Sequence, residues 1–282
     1  MSEIDPRKAD WITTLSLAFM HCRGYFVNEE NGELELRFDK LSNASLTVLI
    51  RDHQGSEDAD ALFSVLIREE YSFVKERIHQ LNGDDRGALK MIDCGGQNGT
   101  SSLYFKLVFP QATIVRVEPA ADALARFGKT IRANQFDEVY PVEGCIWEKD
   151  GRLELRDLHQ ALPGPSPGSG AANGAVTPPH AILPGAMPAE AGDPLERILA
   201  AFAWPAVDLL QVDARGAEAL LDQPAMLHRT LRFTRMILFE RPFARVEKDR
   251  LEAVMRKAGL LFAAEGDHAI AWRTLPAPPG AV

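Results

Sequence analysis

The strongest constraint in the sequence is a glycine-rich turn, Asp93-Cys94-Gly95-Gly96-Gln97-Asn98-Gly99, set between a short apolar run and a helical stretch. Met91, Ile92 and Asp93 have strand character, and Thr100, Ser101 and Ser102 offer N-caps for a helix that Pro110 must end. Glycine is needed in such a turn because the backbone must reverse sharply and let a ligand approach to van der Waals contact. The β-branched run that follows, residues 113–117, ends in Glu118. A carboxylate at a strand tip can accept hydrogen bonds from both hydroxyls of a ribose, each charge-assisted bond contributing roughly 1.5–3 kcal/mol. The loop alone is a weak signal. Together with its spacing to an acidic strand end it predicts a nucleoside-cofactor pocket, against the alternative of a merely structural turn.

From Leu89 onward, strand and helix patterns alternate, which predicts an α/β fold with a mostly parallel sheet and helices on both faces. Leu124, Phe127 and Ile131 share one helix face; residues 139–147 read as a third strand and 152–156 as a short extra one. A helix over 194–202 leads to a strand over 207–212 that ends in Asp213. Two helices follow, then a strand over 236–239 ending in Glu240, an amphipathic helix capped by Gly259, and two strands (260–264 and 269–273) joined by a tight hairpin. The last strand therefore runs antiparallel. Before Leu89, Trp11, Leu15 and Phe19 recur at helical spacing, two β-rich runs (34–38 and 45–51) pair as a hairpin, and helices cover 58–70 and 71–81. The expected division is an accessory layer over 1–88, a core over 89–275 carrying a flexible insertion at 158–193, and a disordered tail over 276–282. Residues 158–189 hold no Asp, Glu, Lys or Arg and are crowded with Pro, Gly, Ala and Ser. They read as a loop without a role or as a mobile lid.

The hydrophobic fraction of 46% and charged fraction of 25% allow a sizeable core. A net charge of −9 argues against nucleic acid as the main partner. Three widely spaced cysteines, Cys22, Cys94 and Cys145, suggest neither a disulfide framework nor a metal site. No signal-like or membrane-length apolar segment is evident, so a cytoplasmic enzyme acting on a small molecule is expected. Only His228 and His268 fall late enough to approach the expected site, and no histidine set has metal-ligand spacing.

The loop lacks the GxGxxG spacing that seats a pyrophosphate on a helix N-terminus. Asp93 would repel a pyrophosphate and suit the ammonium or sulfonium of S-adenosylmethionine, directly or through water. At this point the chain resembles a known family. Ile92–Gly99, Val117-Glu118-Pro119, Gly144-Cys145-Ile146-Trp147 with Lys149-Asp150-Gly151, and the run Asp208-Leu209-Leu210-Gln211-Val212-Asp213-Ala214-Arg215-Gly216-Ala217-Glu218 are similar to the ordered motifs of FkbM-family methyltransferases. The resemblance spans roughly Phe63 to Trp272. It implies a Rossmann-like class I methyltransferase fold, a seven-stranded mostly parallel sheet with an antiparallel last strand, S-adenosylmethionine as cofactor, and O-methylation of a sugar or natural-product hydroxyl.

Carried over by residue, the resemblance places the amino-acid end of the cofactor on Asp93, Gly95 and Gly99, with Gly96 and Asn98 in the same loop. It places the ribose on Glu118, followed by Pro119, and the adenine against Glu143, Gly144 and Cys145. Asp213, Arg215 and Glu218 become the catalytic candidates, Asp213 as preferred general base with helix capping as its alternative. Glu240 faces the same cleft or simply ends its strand. The chain departs from the family at Gly96-Gln97, at Gln211 (usually Lys) and at Arg215 (usually Glu). The Arg215 reversal points to an anionic acceptor, to weakened catalysis or to an exposed arginine of no consequence. A binding protein without activity and an NAD-dependent oxidoreductase are the rival readings.

Overall fold

The computed structural model describes residues 24–30, 33–41, 44–51, 58–82, 89–95, 98–147, 154–155 and 194–273. The helix expected around Trp11, the insertion, Gly96, Gln97 and the tail lie outside the described residues. The first layer is an antiparallel sheet of β1 (Gly24–Glu30), β2 (Glu33–Leu41) and β3 (Ala44–Arg51). The expected β2–β3 hairpin is present, and β1, which the sequence pattern did not suggest, extends it. Next come α1 (Asp58–Leu62), prolonged as a π-helical turn over Phe63–Ile67, and α2 (Ser72–Asn82).

The core alternates as predicted: β4 (Lys90–Cys94), α3 (Thr100–Val108), β5 (Thr113–Glu118), α4 (Ala121–Ala133), β6 (Val139–Glu143), β7 (Glu154–Leu155), α5 (Pro194–Ala201) and β8 (Val207–Val212). It continues through α6 (Ala214–Asp222), α7 (Pro224–Phe233), β9 (Thr234–Glu240), α8 (Lys248–Lys257), β10 (Leu261–Glu265) and β11 (His268–Trp272). These strands form one sheet in the order β10-β11-β9-β8-β4-β5-β6-β7. The β4, β5, β6, β8 and β9 neighbours pair in parallel, while β11 runs antiparallel between β9 and β10. Leaving aside the two-residue β7, which pairs antiparallel at the edge, this is the seven-stranded, Rossmann-like class I methyltransferase arrangement.

Side chains alternate across a strand, and the core divides accordingly. Met91, Ile114, Leu209, Met236, Leu238 and Ile270 face the first layer and α3, and pack with Leu36, Phe38, Leu46, Val48 and Ile50 of the small sheet. The opposite face, including Ile92, Val115, Val117, Leu210 and Val212, is covered by α5, α6, α7 and α8. The first layer is thus part of the same core as the main sheet. It is tied down by polar contacts as well: Asn134 Oδ1 accepts from Thr47 N–H at 2.8 Å, and Thr130 Oγ1 accepts from Leu49 N–H at 3.1 Å. These bonds from the end of α4 satisfy the outer edge of β3, which would otherwise expose unpaired backbone groups.

The third strand of the core is shorter than expected. Residues 139–147 read as one strand, yet β6 stops at Glu143 because the chain turns at Gly144 and leaves the sheet. Trp147 then packs against the first turn of α6: a Cβ on Gly216 would lie 2.5 Å from the indole Nε1.

Candidate functional site

The C-terminal tips of β4, β5, β8 and β9 meet at the glycine turn, the place where ligands bind in open α/β sheets. Gly95 has φ +88 and a Cβ there would stand 3.0 Å from Asp213 Cβ, so the turns after β4 and β8 touch. Gly99 has φ +75 and a Cβ there would come within 2.3 Å of the Phe127 ring. Both positions combine a left-handed backbone with no room for a side chain, as the sequence required.

The hydroxyls next to the turn serve a different purpose from the expected one. Gly99, not Thr100, Ser101 or Ser102, is the N-cap of α3, without a side-chain cap. Ser101 Oγ donates to Asp93 Oδ2 at 2.7 Å, and Ser102 Oγ donates to the same oxygen. Thr100 donates through its N–H and its hydroxyl to Asn98 Oδ1, while Asn98 Nδ2 donates to the Asp58 carbonyl at 3.2 Å. Asn98 therefore braces the turn against α1. Asp58 in turn is held by Arg51 at 2.6 Å, which fixes α1 to β3.

Asp93 is paired within the protein. Its side chain is fully buried, and Arg116 Nη1 lies 3.3 Å from its Oδ2. Its charge is thus compensated in place, with Oδ2 taken by three donors, while Oδ1 has no partner in the protein. Arg116 is the residue that the sequence reading missed. Its Nη1 donates to the Gly95 carbonyl at 2.8 Å, its Nη2 lies 3.4 Å from Glu118 Oε2, and its guanidinium sits 5.0 Å from the centroid of Phe127. The available signal was a charged residue inside an otherwise apolar strand, two positions before Glu118 and so on the same face.

Glu118 stands where expected, at the tip of β5, with Oε1 accepting from Ala120 N–H at 3.0 Å. Burial raises its carboxyl above the usual range, opposed by Arg116 and the Ala120 N–H. Glu143 is its register partner on β6, followed by the half-buried Gly144 and Cys145. Pro119 is exposed. Gly95, Gly99, Glu118, Glu143 and Asp213 thus come together at adjacent strand tips.

The three catalytic candidates do not share one environment. Asp213 caps α6, its Oδ1 accepting from Gly216 N–H at 2.7 Å. Burial raises its carboxyl, with the cap bond and Arg215 opposing. Arg215 is exposed beside it. Glu218 pairs with Arg245 on the surface at 2.9 Å, which directs its carboxylate to the turn after β9 rather than to the glycine loop. Because a capping carboxylate contributes about 0.5–2 kcal/mol, Asp213→Ala should lower stability by about 1 kcal/mol, while Asp213→Asn, also a good cap, should stay near wild type. Urea unfolding distinguishes them; equal midpoints for Ala and wild type would remove the cap from the account.

A second polar group continues the same face across the sheet. Asp93 and Gln211 are register partners, and Gln211 Nε2 donates to Glu240 Oε2 at 2.7 Å. Gln211, which departs from the family pattern, therefore has a definite partner. Burial first, then the charge of Asp93, pushes the Glu240 carboxyl up to about 7, with Arg241, Tyr71 and Gln211 opposing. His268 is the register partner of Glu240 on β11. It is buried edge-on to the Tyr71 ring at 5.2 Å, with Nδ1 3.4 Å from Glu70 Oε1, and burial holds it down at about 4. His268 is therefore neutral at physiological pH. His228 sits exposed on α7, away from the tips. Three buried polar atoms in this group, Asp93 Oδ1, Gln211 Oε1 and His268 Nδ1, have no hydrogen-bond partner in the protein. Left so, each costs about 1–3 kcal/mol, which marks the place as one built for something other than stability.

Among the described residues no cluster of His, Cys, Asp or Glu could hold a metal ion, and no helix is long and apolar enough to cross a membrane. No family model matches the chain, and a search of curated proteins finds no significant match. Solved structures resemble it distantly. A Staphylococcus aureus protein provisionally designated a caffeoyl-CoA O-methyltransferase is 12% identical, with 78% of this chain and 94% of that one covered at a TM-score of 0.45. A methyltransferase from Geobacter sulfurreducens is 12% identical, with coverages of 97% and 92% and a TM-score of 0.41. The precorrin-6y C5,15-methyltransferase of Geobacter metallireducens is 14% identical, with 72% and 88% covered at 0.40. The fold rests on strand order and register, independently of these likenesses.

Proposed function

We propose that the chain is an S-adenosylmethionine-dependent methyltransferase acting on a hydroxyl of a sugar- or natural-product-type small molecule. The observation that carries this reading is the combination of β11 inserted antiparallel between β9 and β10 with a glycine turn that Arg116 ties to Glu118. A dinucleotide-binding sheet of the doubly wound type is mostly parallel and seats a pyrophosphate on GxGxxG, which this turn lacks. The ordered motifs that resemble FkbM-family methyltransferases support the same reading and narrow the acceptor to a hydroxyl.

The residues present fit such a cofactor. Gly95 and Gly99 let the turn pack closely against Asp213 and Phe127, and the turn would present its backbone to the amino-acid end. Glu118 would accept from the ribose hydroxyls, and Glu143, Gly144 and Cys145 would border the adenine. When bound, S-adenosylmethionine supplies an electrophilic methyl group. Arg116 holds the Glu118 carboxylate and the Gly95 carbonyl in place, and Asp213 closes the turn from the β8 side. Fixed positioning of this kind contributes much of the acceleration when two reactants are aligned.

A thermal-shift titration tests the reading. At a hundredfold excess over Kd a ligand of the folded state adds about 2.7 kcal/mol of stability, so S-adenosylhomocysteine should raise Tm by several degrees. NAD should leave it unchanged; the reverse pattern would replace the methyltransferase reading with the oxidoreductase one.

A further inference from the structure

On the face of the sheet that the first layer covers, each strand carries an apolar column that turns polar at its C-terminal tip or, for antiparallel β11, at its start. Met91 gives way to Asp93, Ile114 to Arg116 and Glu118, Leu209 to Gln211, Leu238 to Glu240, and Ile270 is preceded by His268. The β5 and β4 end of this row belongs to the cofactor pocket proposed above. The β8, β9 and β11 end has no role there, yet it holds most of the unpartnered polar atoms. Gln211 is 0% exposed and His268 is 1% exposed, so solvent does not satisfy them.

Their chemistry is specific. Gln211 Oε1 and Asp93 Oδ1 are unpartnered acceptors, and Glu240 adds a carboxylate that Gln211 orients by its 2.7 Å bond. Tyr71, from the connection before α2, lies alongside Glu240 and covers the group. Arg241, Glu70 and Asp267 surround it from the neighbouring turns. The two open acceptors, beside the Glu240 carboxylate, call for a hydrogen-bond donor. Adjacent strands are spaced about 4.8 Å apart, so the tip of β9 lies roughly 10 Å from that of β4, within reach of a small molecule spanning the two.

We propose that these tips form the site of the acceptor's reacting hydroxyl and that Glu240, not Asp213, takes its proton. This rests on the methyltransferase reading. The acceptor oxygen bonds to the methyl carbon, the carbon–sulfur bond breaks with its electron pair left on sulfur, and the hydroxyl proton passes to a Glu240 carboxylate oxygen. Gln211 is the positioning residue that aims the carboxylate, and Asp213 keeps its role as the cap of α6.

The test needs no knowledge of the acceptor. Sinefungin carries an amine where the transferable methyl of S-adenosylmethionine stands, whereas S-adenosylhomocysteine carries nothing there. Calorimetry on the full chain compares the two ligands in wild type and in Glu240→Gln. The expected result is a loss of about tenfold in sinefungin affinity, from the attraction between its ammonium and the carboxylate across the space of the acceptor oxygen, with S-adenosylhomocysteine affinity unchanged. Equal sinefungin affinity in both chains overturns the proposal and leaves the cofactor reading standing. Loss of both ligands in Glu240→Gln makes Glu240 part of the scaffold and also overturns it. A wild-type chain that binds neither ligand refutes the methyltransferase reading itself. Gln211→Leu should reproduce the sinefungin loss in part, because it leaves Glu240 present but no longer aimed.

Discussion

Arg116→Met is expected to destabilise the chain by about 3–5 kcal/mol, the usual consequence of removing one partner of a buried ion pair. The guanidinium is fully buried between Asp93 and Glu118, and no solvent can replace it. Methionine fills much the same volume, so the loss would come from charge rather than from a cavity. Asp93 would be left with the Ser101 and Ser102 hydroxyls and no counter-charge. The double variant Arg116→Met with Asp93→Asn should recover part of the loss, because the uncompensated charge is then gone. Chemical denaturation of the three proteins measures this directly. A single variant within about 0.5 kcal/mol of wild type, the usual range for an inconsequential surface change, would show that Arg116 does not hold the strand tips together.

Glu118→Ala carries the second large effect, and it concerns binding. Two charge-assisted bonds to ribose hydroxyls at roughly 1.5–3 kcal/mol each predict a loss of at least about 100-fold in S-adenosylmethionine affinity. Glu118→Gln should lose less, since an amide oxygen can still accept one hydroxyl and the Ala120 N–H. Because burial raises the Glu118 carboxyl, the protonated form persists to higher pH than in an ordinary glutamate. Cofactor affinity should therefore weaken as pH falls through that range and be complete above it. Calorimetry across pH checks the sign; affinity that improved toward acid would place the ribose elsewhere.

The fold was largely legible in the sequence because its signals are local. β-branched runs, helix faces such as Leu124 and Phe127, and the hairpin at Gly266 each report their own element. The glycine turn was legible for the same reason: φ +88 and φ +75 at Gly95 and Gly99 are demands that only glycine meets easily. What could not be read was which strand lies beside which at a given tip. Arg116 looks like an intruder in an apolar strand until register sets it next to Asp93. Gln211 looks like a family departure until β9 brings Glu240 within 2.7 Å. Ser101 and Ser102 match a capping pattern, but a buried carboxylate one turn away competes for their hydroxyls more strongly than the exposed start of α3. Charge signs were legible and their compensation was not: nothing in the sequence sets Arg116 against Asp93.

The catalytic candidates divide along the same line. Asp213 was expected at a strand tip and is there, but its cap bond to Gly216 is a tertiary detail of how α6 begins. Glu218 was expected on α6 and is there, though Arg245, distant in sequence, holds its carboxylate. Tyr71, from the connection before α2, completes the Glu240 group and belongs to a region with no motif at all.

The central claim is that the β4 turn and Glu118 hold the donor of a methyl group. A crystal structure with S-adenosylhomocysteine tests it most directly. The account predicts both ribose hydroxyls on the Glu118 carboxylate, with the amino-acid end against Gly95 and Gly99. Density for the ribose elsewhere, with no contact to Glu118, would contradict it.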